Sequence, residues 1–316
     1  MTYYLKYRSQ TIAELDIATV RETLTNIVKS GSIPHAFLFA GPKGTGKTSA
    51  ARILAKVINC ESSKEKPCNK CSQCISITNG TNIDVIEMDA ASNRGIDDVR
   101  ALRDIVKLAP ASAKAKIYII DEAHMLTIEA SNALLKTLEE PPAHVYFILA
   151  TTNPEKLIET IKSRTTSISF TKATDEEIFR SLKRVVKGEK IEITNDDLNK
   201  IIKIAKGSFR DAVKNLEQYS NDKSFLIKDL NINLEVFVEA LIKKDIKIIL
   251  ADLKKANNIH YLTSEILNIL HQKLVNSESL ELIPLIELIL KSNEMIKVSP
   301  IEKLPLEIAI IKWCNL

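Results

Sequence analysis

No stretch of this 316-residue chain approaches the roughly 18 apolar residues that a membrane-spanning helix needs. The opening "MTYYLKYRSQTIAELD" also lacks the apolar run of a secretory signal. Both absences exclude a membrane role and point to the cytoplasm. Charge of one sign is in short supply as well. Lys and Arg total 44 against 40 Asp and Glu, a formal net charge of +4 with a pI near 8.6, too mild to imply nucleic acid by itself. Low-complexity tracts and internal repeats are missing, which sets aside disordered and solenoid architectures. What remains is a chain rich in aliphatic residues and long enough for two or three folded domains.

Cysteine is scarce, with five in all, yet four of them crowd into "NCESSKEKPCNKCSQC". A reducing cytoplasm argues against disulfides. Cys60, Cys68, Cys71 and Cys74 follow a C-x7-C-x2-C-x2-C spacing, in which two tight turns gather three thiolates and Cys60 closes a tetrahedron. Four thiolates suit zinc best, in a closed site with no open position for water or substrate. Pro67, Asn69, Lys70 and Ser72 are turn-forming or polar residues of the kind a small knuckle needs, and Lys66 and Lys70 offset thiolate charge. The alternative, a set of free surface thiols, gives no reason for the clustering. Cys314 stands alone beside an apolar C-terminal helix and is expected in a core.

Apolar, β-branched runs alternate with helical patterns through the first half: 35–40, 84–90, 116–121, 145–152 and 166–170. That rhythm predicts an α/β fold with a parallel sheet covered by helices. The strands stop after Phe170. Thr174 with Glu177, and Thr194 with Asp197, have the spacing of capping boxes, and Ile178, Leu182, Val185 and Val186 fall on one helical face. A small helical domain is expected over 173–221. Beyond it, stripes such as Ile246, Ile249, Leu250, Leu253 and Leu282, Leu285, Ile286, Ile289 predict a third, all-helical domain over 222–316, with "SNDKS" as the link.

"HAFLFAGPKGTGKTSAARILA" carries the strongest motif. Gly41, Pro42, Lys43, Gly44, Thr45, Gly46, Lys47, Thr48 and Ser49 lie between an apolar strand and a helical pattern, the context that makes G-x-x-x-x-G-K-T a P-loop. Its backbone N–H groups wrap phosphates, Lys47 reaches the β- and γ-phosphates of ATP, and the Thr48 hydroxyl is a magnesium ligand. The strand in "KIYIIDEAHML" ends on Asp121, a second magnesium-site carboxylate, followed by Glu122 as candidate base for the attacking water. His124 is read as a structural neighbour.

"YRSQT", "HAFLFAGPKGTGKT", the four cysteines, "IIDEAHML", "ALLKTLEEPP", "LATTNPEKL", "SR" and "GSFRDA" occur in an order that resembles the gamma/tau subunit family of bacterial DNA polymerase III, the clamp-loader AAA+ ATPases. The resemblance covers residues 1 to about 220. It implies an AAA+ core over 1–172 with a zinc-knuckle insertion at 60–74, a helical lid over 173–221 and a helical collar for oligomerisation over 222–316. It places Thr152 at the sensor 1 position, Arg164 as an arginine finger acting in trans on a neighbouring subunit, and Arg210 at sensor 2.

The same resemblance implies a hetero-oligomeric ring with delta and delta-prime type subunits, a sliding clamp and primer-template DNA as partners. Arg94 and Arg100 in "DAASNRGIDDVRALRD" become candidates for phosphate contact; a charged solvated helix face is the other reading. Three departures matter. The family's Ser-Arg-Cys string reads Ser163, Arg164, Thr165 here. "ELDIATVRE" replaces its valine-glycine-glutamine segment near adenine, which leaves base contacts by Tyr7 and Arg8 open. The chain ends at Leu316, so a tau-type extension tethering polymerase and helicase is not expected. Two other functions stay open: a non-hydrolysing structural clamp-loader subunit, and another AAA+ DNA-processing motor.

Overall fold

The computed structural model describes residues 2–92, 106–223, 232–256, 259–277, 280–296 and 298–315, arranged in two compact units, Met1–Glu217 and Gln218–Leu316. Arg94 and Arg100 lie outside the described residues.

The first unit is organised by five parallel strands: β1 (Ala36–Ala40), β2 (Val85–Asp89), β3 (Lys116–Asp121), β4 (Val145–Thr151) and β5 (Thr166–Ser169), in the order β2-β3-β4-β1-β5. All five fall within a residue or two of the apolar runs seen in the sequence. A parallel strand covered on both faces is apolar at successive positions rather than alternate ones, so its run is easy to see. The two faces still separate by alternation. Phe37, Phe39, Ile117, Ile119 and Ile148 face one core, against Leu24 of α2 (Ala18–Lys29), which follows a short α1 (Tyr3–Lys6), and Ile53, Leu54 and Val57 of α3 (Lys47–Asn59). Leu38, Tyr118, Ile120, Phe147 and Leu149 face the other, against Leu134 and Leu138 of a helix at Ile128–Glu139. Each fully buried Leu or Phe contributes about 1.5–3 kcal/mol.

Register decides where the chemistry can be. Ala40 pairs with Thr151 and Ile120 with Leu149, so β1, β3 and β4 end level with one another. The residues that follow them, Gly41, Glu122 and Thr152, therefore emerge on one edge of the sheet, where ligands of open α/β sheets bind.

Three helices follow β5 in the chain: Asp175–Glu189, Asn195–Ala205 and Phe209–Asn221. The box at Thr174 closes fully, with its hydroxyl accepting from the Glu177 N–H and the Glu177 carboxylate accepting from the Thr174 N–H. At the second helix the Thr194 hydroxyl accepts from the Asp197 N–H. Ile178, Leu182 and Val185 are buried, as their spacing requires.

In the second unit the described elements are helical: Leu234–Ile242, Ile246–Lys255, Ile259–Ser277, Ile283–Ile296 and Leu304–Cys314, with a short 3-10 turn at Leu280–Leu282. Ile249, Leu253, Leu285 and Ile289 from the two stripes enter one core with Phe237 and Trp313, whose indole N–H donates to the Leu241 carbonyl at 2.7 Å. Cys314 packs against that core. Among the described residues no helix is long and apolar enough to cross a membrane.

Candidate functional site: a P-loop cleft and a four-cysteine cluster

The P-loop leaves β1 at Gly41 and enters α3 at Lys47, so the chain turns directly from a sheet edge into a helix N-terminus, the positive end of a backbone dipole. Gly44 has φ +79°, and a Cβ there would lie 2.1 Å from the Ser208 hydroxyl. Without that side chain the turn at Ser208 can lie on the loop, and the Phe209 N–H donates to the Gly44 carbonyl at 3.1 Å. The P-loop and the helices beyond Phe170 are therefore joined by backbone contacts.

Lys47 is buried, and its ammonium donates to the carbonyls of Gly41 (2.8 Å) and Pro42 (2.9 Å). Burial pushes it below its ordinary value, while Glu122 and Asp121 pull the other way. The Thr48 hydroxyl donates to Asp121 Oδ2 at 2.8 Å. These two hard oxygens, brought together from a helix start and a strand end, form a donor set that fits magnesium.

Glu122 follows with φ +49°, a left-handed backbone that turns its side chain away from the strand direction. Its Oε2 accepts from the Thr152 hydroxyl (2.8 Å) and N–H (3.2 Å). His124 is closer to the chemistry than its sequence position suggested. Its Nδ1 is 3.0 Å from the Thr151 hydroxyl and 3.5 Å from the same Glu122 oxygen. Strand β4 stops at Thr151, so Thr152 is the first residue past the strand.

These groups open onto a cleft that contains Lys43–Ser49, Asp121, Glu122 and Thr152 on the sheet side and Ser181, Phe209, Arg210 and Val213 on the helical side. Its remaining wall is N-terminal: Tyr4, Tyr7, Arg8, Ser9, Leu15 and Asp16. Arg210 reaches it with its guanidinium 5.9 Å from the Tyr4 ring centre. Tyr7 and Arg8, left open by the altered N-terminal segment, both line the cleft. Tyr4, Asp16 and Ser181 were not legible in the sequence, because contacts across more than a hundred positions leave no local pattern. Asp16 is bound by Arg184 at 2.7 Å, yet its burial pushes its carboxyl above the usual range.

Arg164 does not line this cleft. It lies in a shallow groove with Pro34, His35 and Pro141, where its Nε donates to Glu139 at 2.7 Å and its Nη1 to the Thr160 carbonyl at 2.9 Å.

The cysteine sulfurs of Cys60, Cys68, Cys71 and Cys74 all lie within 4.8 Å of one another. Zinc–sulfur bonds of about 2.3 Å set tetrahedral edges of roughly 3.8 Å, so the set is compatible with zinc. Cys60 ends α3, and Cys71 caps the helix Ser72–Asn79 by accepting from the Cys74 N–H at 3.5 Å. Backbone N–H groups of Lys70 and Cys71 pull the Cys68 thiol down to about 6, whereas burial pushes Cys74 up to about 12.

Residues 18–174 match the family described as "DNA polymerase III, delta subunit". The chain is 50% identical over 200 residues to the DNA polymerase III subunit tau of Bacillus subtilis, covering 63% of this chain and 36% of that protein. It is 40% identical over 262 residues to the gamma/tau subunit of Mycoplasma genitalium (78% and 43%) and 44% identical over 215 residues to the tau subunit of Escherichia coli (67% and 33%). The chain thus spans less than half the length of these relatives. Among solved structures, the RuvB Holliday junction branch migration motor of Thermotoga maritima superposes with a TM-score of 0.52 at 18% identity, covering 79% of this chain and 86% of that one. That likeness shows the fold alone, a parallel α/β sheet with its covering helices. On the identities and the motif-bearing geometry together, the chain is a relative of the DNA polymerase III gamma/tau subunits over the part of them that it spans.

Proposed function

We propose that this chain is an ATP-hydrolysing subunit of the bacterial DNA polymerase III clamp loader, using ATP to open a sliding clamp and load it on primed DNA. The observation that carries the reading is the pairing of Thr48 with Asp121 beside the pairing of Glu122 with Thr152, at the mouth of one P-loop. A non-hydrolysing structural subunit would have no use for that second pair.

In this reading the P-loop amides and Lys47 bind the phosphates of ATP, with Thr48 and Asp121 holding magnesium. Magnesium, when bound, neutralises phosphate charge and polarises the γ-phosphoryl group. Glu122 accepts the proton of the attacking water, and Thr152 fixes the carboxylate that does so. Arg210 acts on the nucleotide from the lid of its own chain. Arg164 acts in trans, on the γ-phosphate of a neighbouring subunit. Its link to Glu139 is part-exposed, and such pairs contribute about 0–1 kcal/mol, so a switch of partner is cheap.

The three-part division belongs to the same proposal: AAA+ core 1–172, lid 173–221 and collar 222–316, in a cytoplasmic hetero-oligomeric ring with delta and delta-prime type subunits. Zinc in Cys60, Cys68, Cys71 and Cys74 folds the knuckle. Arg94 and Arg100 remain proposed phosphate contacts to the primer-template. Steady-state ATPase of the reconstituted loader tests the whole: clamp and primed DNA together are expected to raise turnover, in a salt-sensitive manner. Equal rates with and without them would leave a P-loop ATPase with a different task.

A further inference from the structure

The cysteine cluster begins at the far end of α3 from the phosphate loop, a helix of 13 residues, or about 20 Å at 1.5 Å per residue. That separation suggests two independent sites. Lys56 argues otherwise. It is on α3 and 1% exposed, and its ammonium donates to three oxygens: the Gln10 carbonyl (2.8 Å), the Gln10 side-chain Oε1 (2.7 Å) and Asn69 Oδ1 (2.8 Å). Asn69 belongs to the knuckle, between Cys68 and Cys71, in a left-handed backbone of φ +56°. Gln10 belongs to the N-terminal segment. From Gln10 the bonding continues toward the cleft, because its Nε2 donates to the Arg8 carbonyl at 3.1 Å and its N–H to the Glu14 carboxylate at 2.7 Å. Ser9 adds a bond to the Glu14 carbonyl at 3.1 Å. Arg8 and Ser9 are part of the cleft wall.

We infer that Lys56 is a positioning residue that ties the cysteine knuckle to the N-terminal wall of the nucleotide cleft, so that the metal-ordered knuckle sets nucleotide affinity. A buried ammonium cannot drop one of its acceptors without leaving charge and a carbonyl unsatisfied, so movement of Asn69 is passed to Gln10. The inference rests on the reading of the cleft as a nucleotide site.

The test is a double-mutant cycle on Asn69→Gly and Cys71→Ser. Glycine keeps the left-handed backbone at position 69 and deletes only the amide that Lys56 grips. A fluorescent ATP analogue is titrated into the parent, both single variants and the double variant, with zinc content measured in each. Zinc-loaded Asn69→Gly is expected to bind the analogue roughly fivefold to tenfold more weakly, and the double variant no more weakly than Cys71→Ser alone. Amide exchange of residues 8–15 should quicken in both single variants while that of 50–58 does not. Asn69→Gly with bound zinc and parental affinity would overturn the coupling, as would losses that add in the double variant. If the parent binds no nucleotide at all, the reading of the cleft fails first and the coupling with it.

Discussion

Glu122 and Thr152 are joined twice through one oxygen: Oε2 accepts the Thr152 hydroxyl at 2.8 Å and the Thr152 N–H at 3.2 Å. The pair spans two strand ends, β3 and β4, and depends on the left-handed turn at Glu122 to face inward. The backbone bond orients the carboxylate whatever the side chain at 152, whereas the hydroxyl adds direction that a methyl cannot. Glu122→Gln is therefore expected to bind ATP and lose about a thousandfold in turnover. Thr152→Val keeps the shape and the N–H and should lose about tenfold, in kcat rather than KM. Single-turnover hydrolysis in the assembled loader separates the two, and parental turnover by Glu122→Gln would remove it as the base.

The strands and the P-loop were legible because their signals are local. The central strands β1, β3 and β4 are near-continuous apolar runs, and the loop is a string of adjacent residues between strand and helix. Lys56 shows what was not. A charged residue on an amphipathic helix reads as solvated, and only the fold brings Gln10 and Asn69 to its ammonium. Sequence reads His124 only as a structural neighbour; the fold adds its contact with the Thr151 hydroxyl on a neighbouring strand. Arg164 and Arg210 carried no local signal of their own; the family resemblance alone singled them out.

Asp84 is a second buried charge that local sequence could not reveal. It is 1% exposed and accepts from the N–H groups of Ala111, Ser112 and Ala113, each at 2.8 Å. Burial pushes its carboxyl up, but those donors together outweigh it and leave the group below its ordinary value. A carboxylate with a depressed folded value stabilises the native state above its unfolded value, and that stability is lost as pH falls through the folded one. Asp84→Ala should cost about 3 kcal/mol at neutral pH. Denaturant unfolding at a series of pH values should show the gap between parent and variant narrowing below about pH 4. A gap independent of pH would mean that the lost packing, not the charge, matters there.

Cys71 offers a clean test of the proposed zinc site. The residue caps the helix that follows it, and serine is among the best N-cap residues, so Cys71→Ser improves the cap while deleting a ligand. Any destabilisation then reports the metal rather than the helix start. We expect the variant to lose its zinc by elemental analysis and to unfold at lower denaturant, with a deficit of several kcal/mol. A variant as stable as its parent, or a parent purified without zinc and fully stable, would mean that the thiols are bystanders.

Arg164 separates a finger acting across subunits from a surface ion pair. Its guanidinium is bound to Glu139 on its own chain and is not part of the cleft formed by Lys47, Asp121 and Glu122. If it completes a neighbour's site, Arg164→Ala and Lys47→Ala each empty every interface between identical chains, one of its finger and the other of its phosphate lysine. Mixed in one ring, they restore some interfaces where an intact P-loop from the first variant meets an intact Arg164 from the second. For random assembly about a quarter of the interfaces regain both groups, so ATPase should recover to roughly that fraction of the parental rate. Native mass spectrometry first establishes that mixed rings form. Glu139→Gln gives an independent reading: freeing the guanidinium from its partner should leave turnover intact or raise it, whereas a structural pair would lose stability instead. Mixed rings as inactive as either parent variant would show that Arg164 does not serve a neighbour's nucleotide.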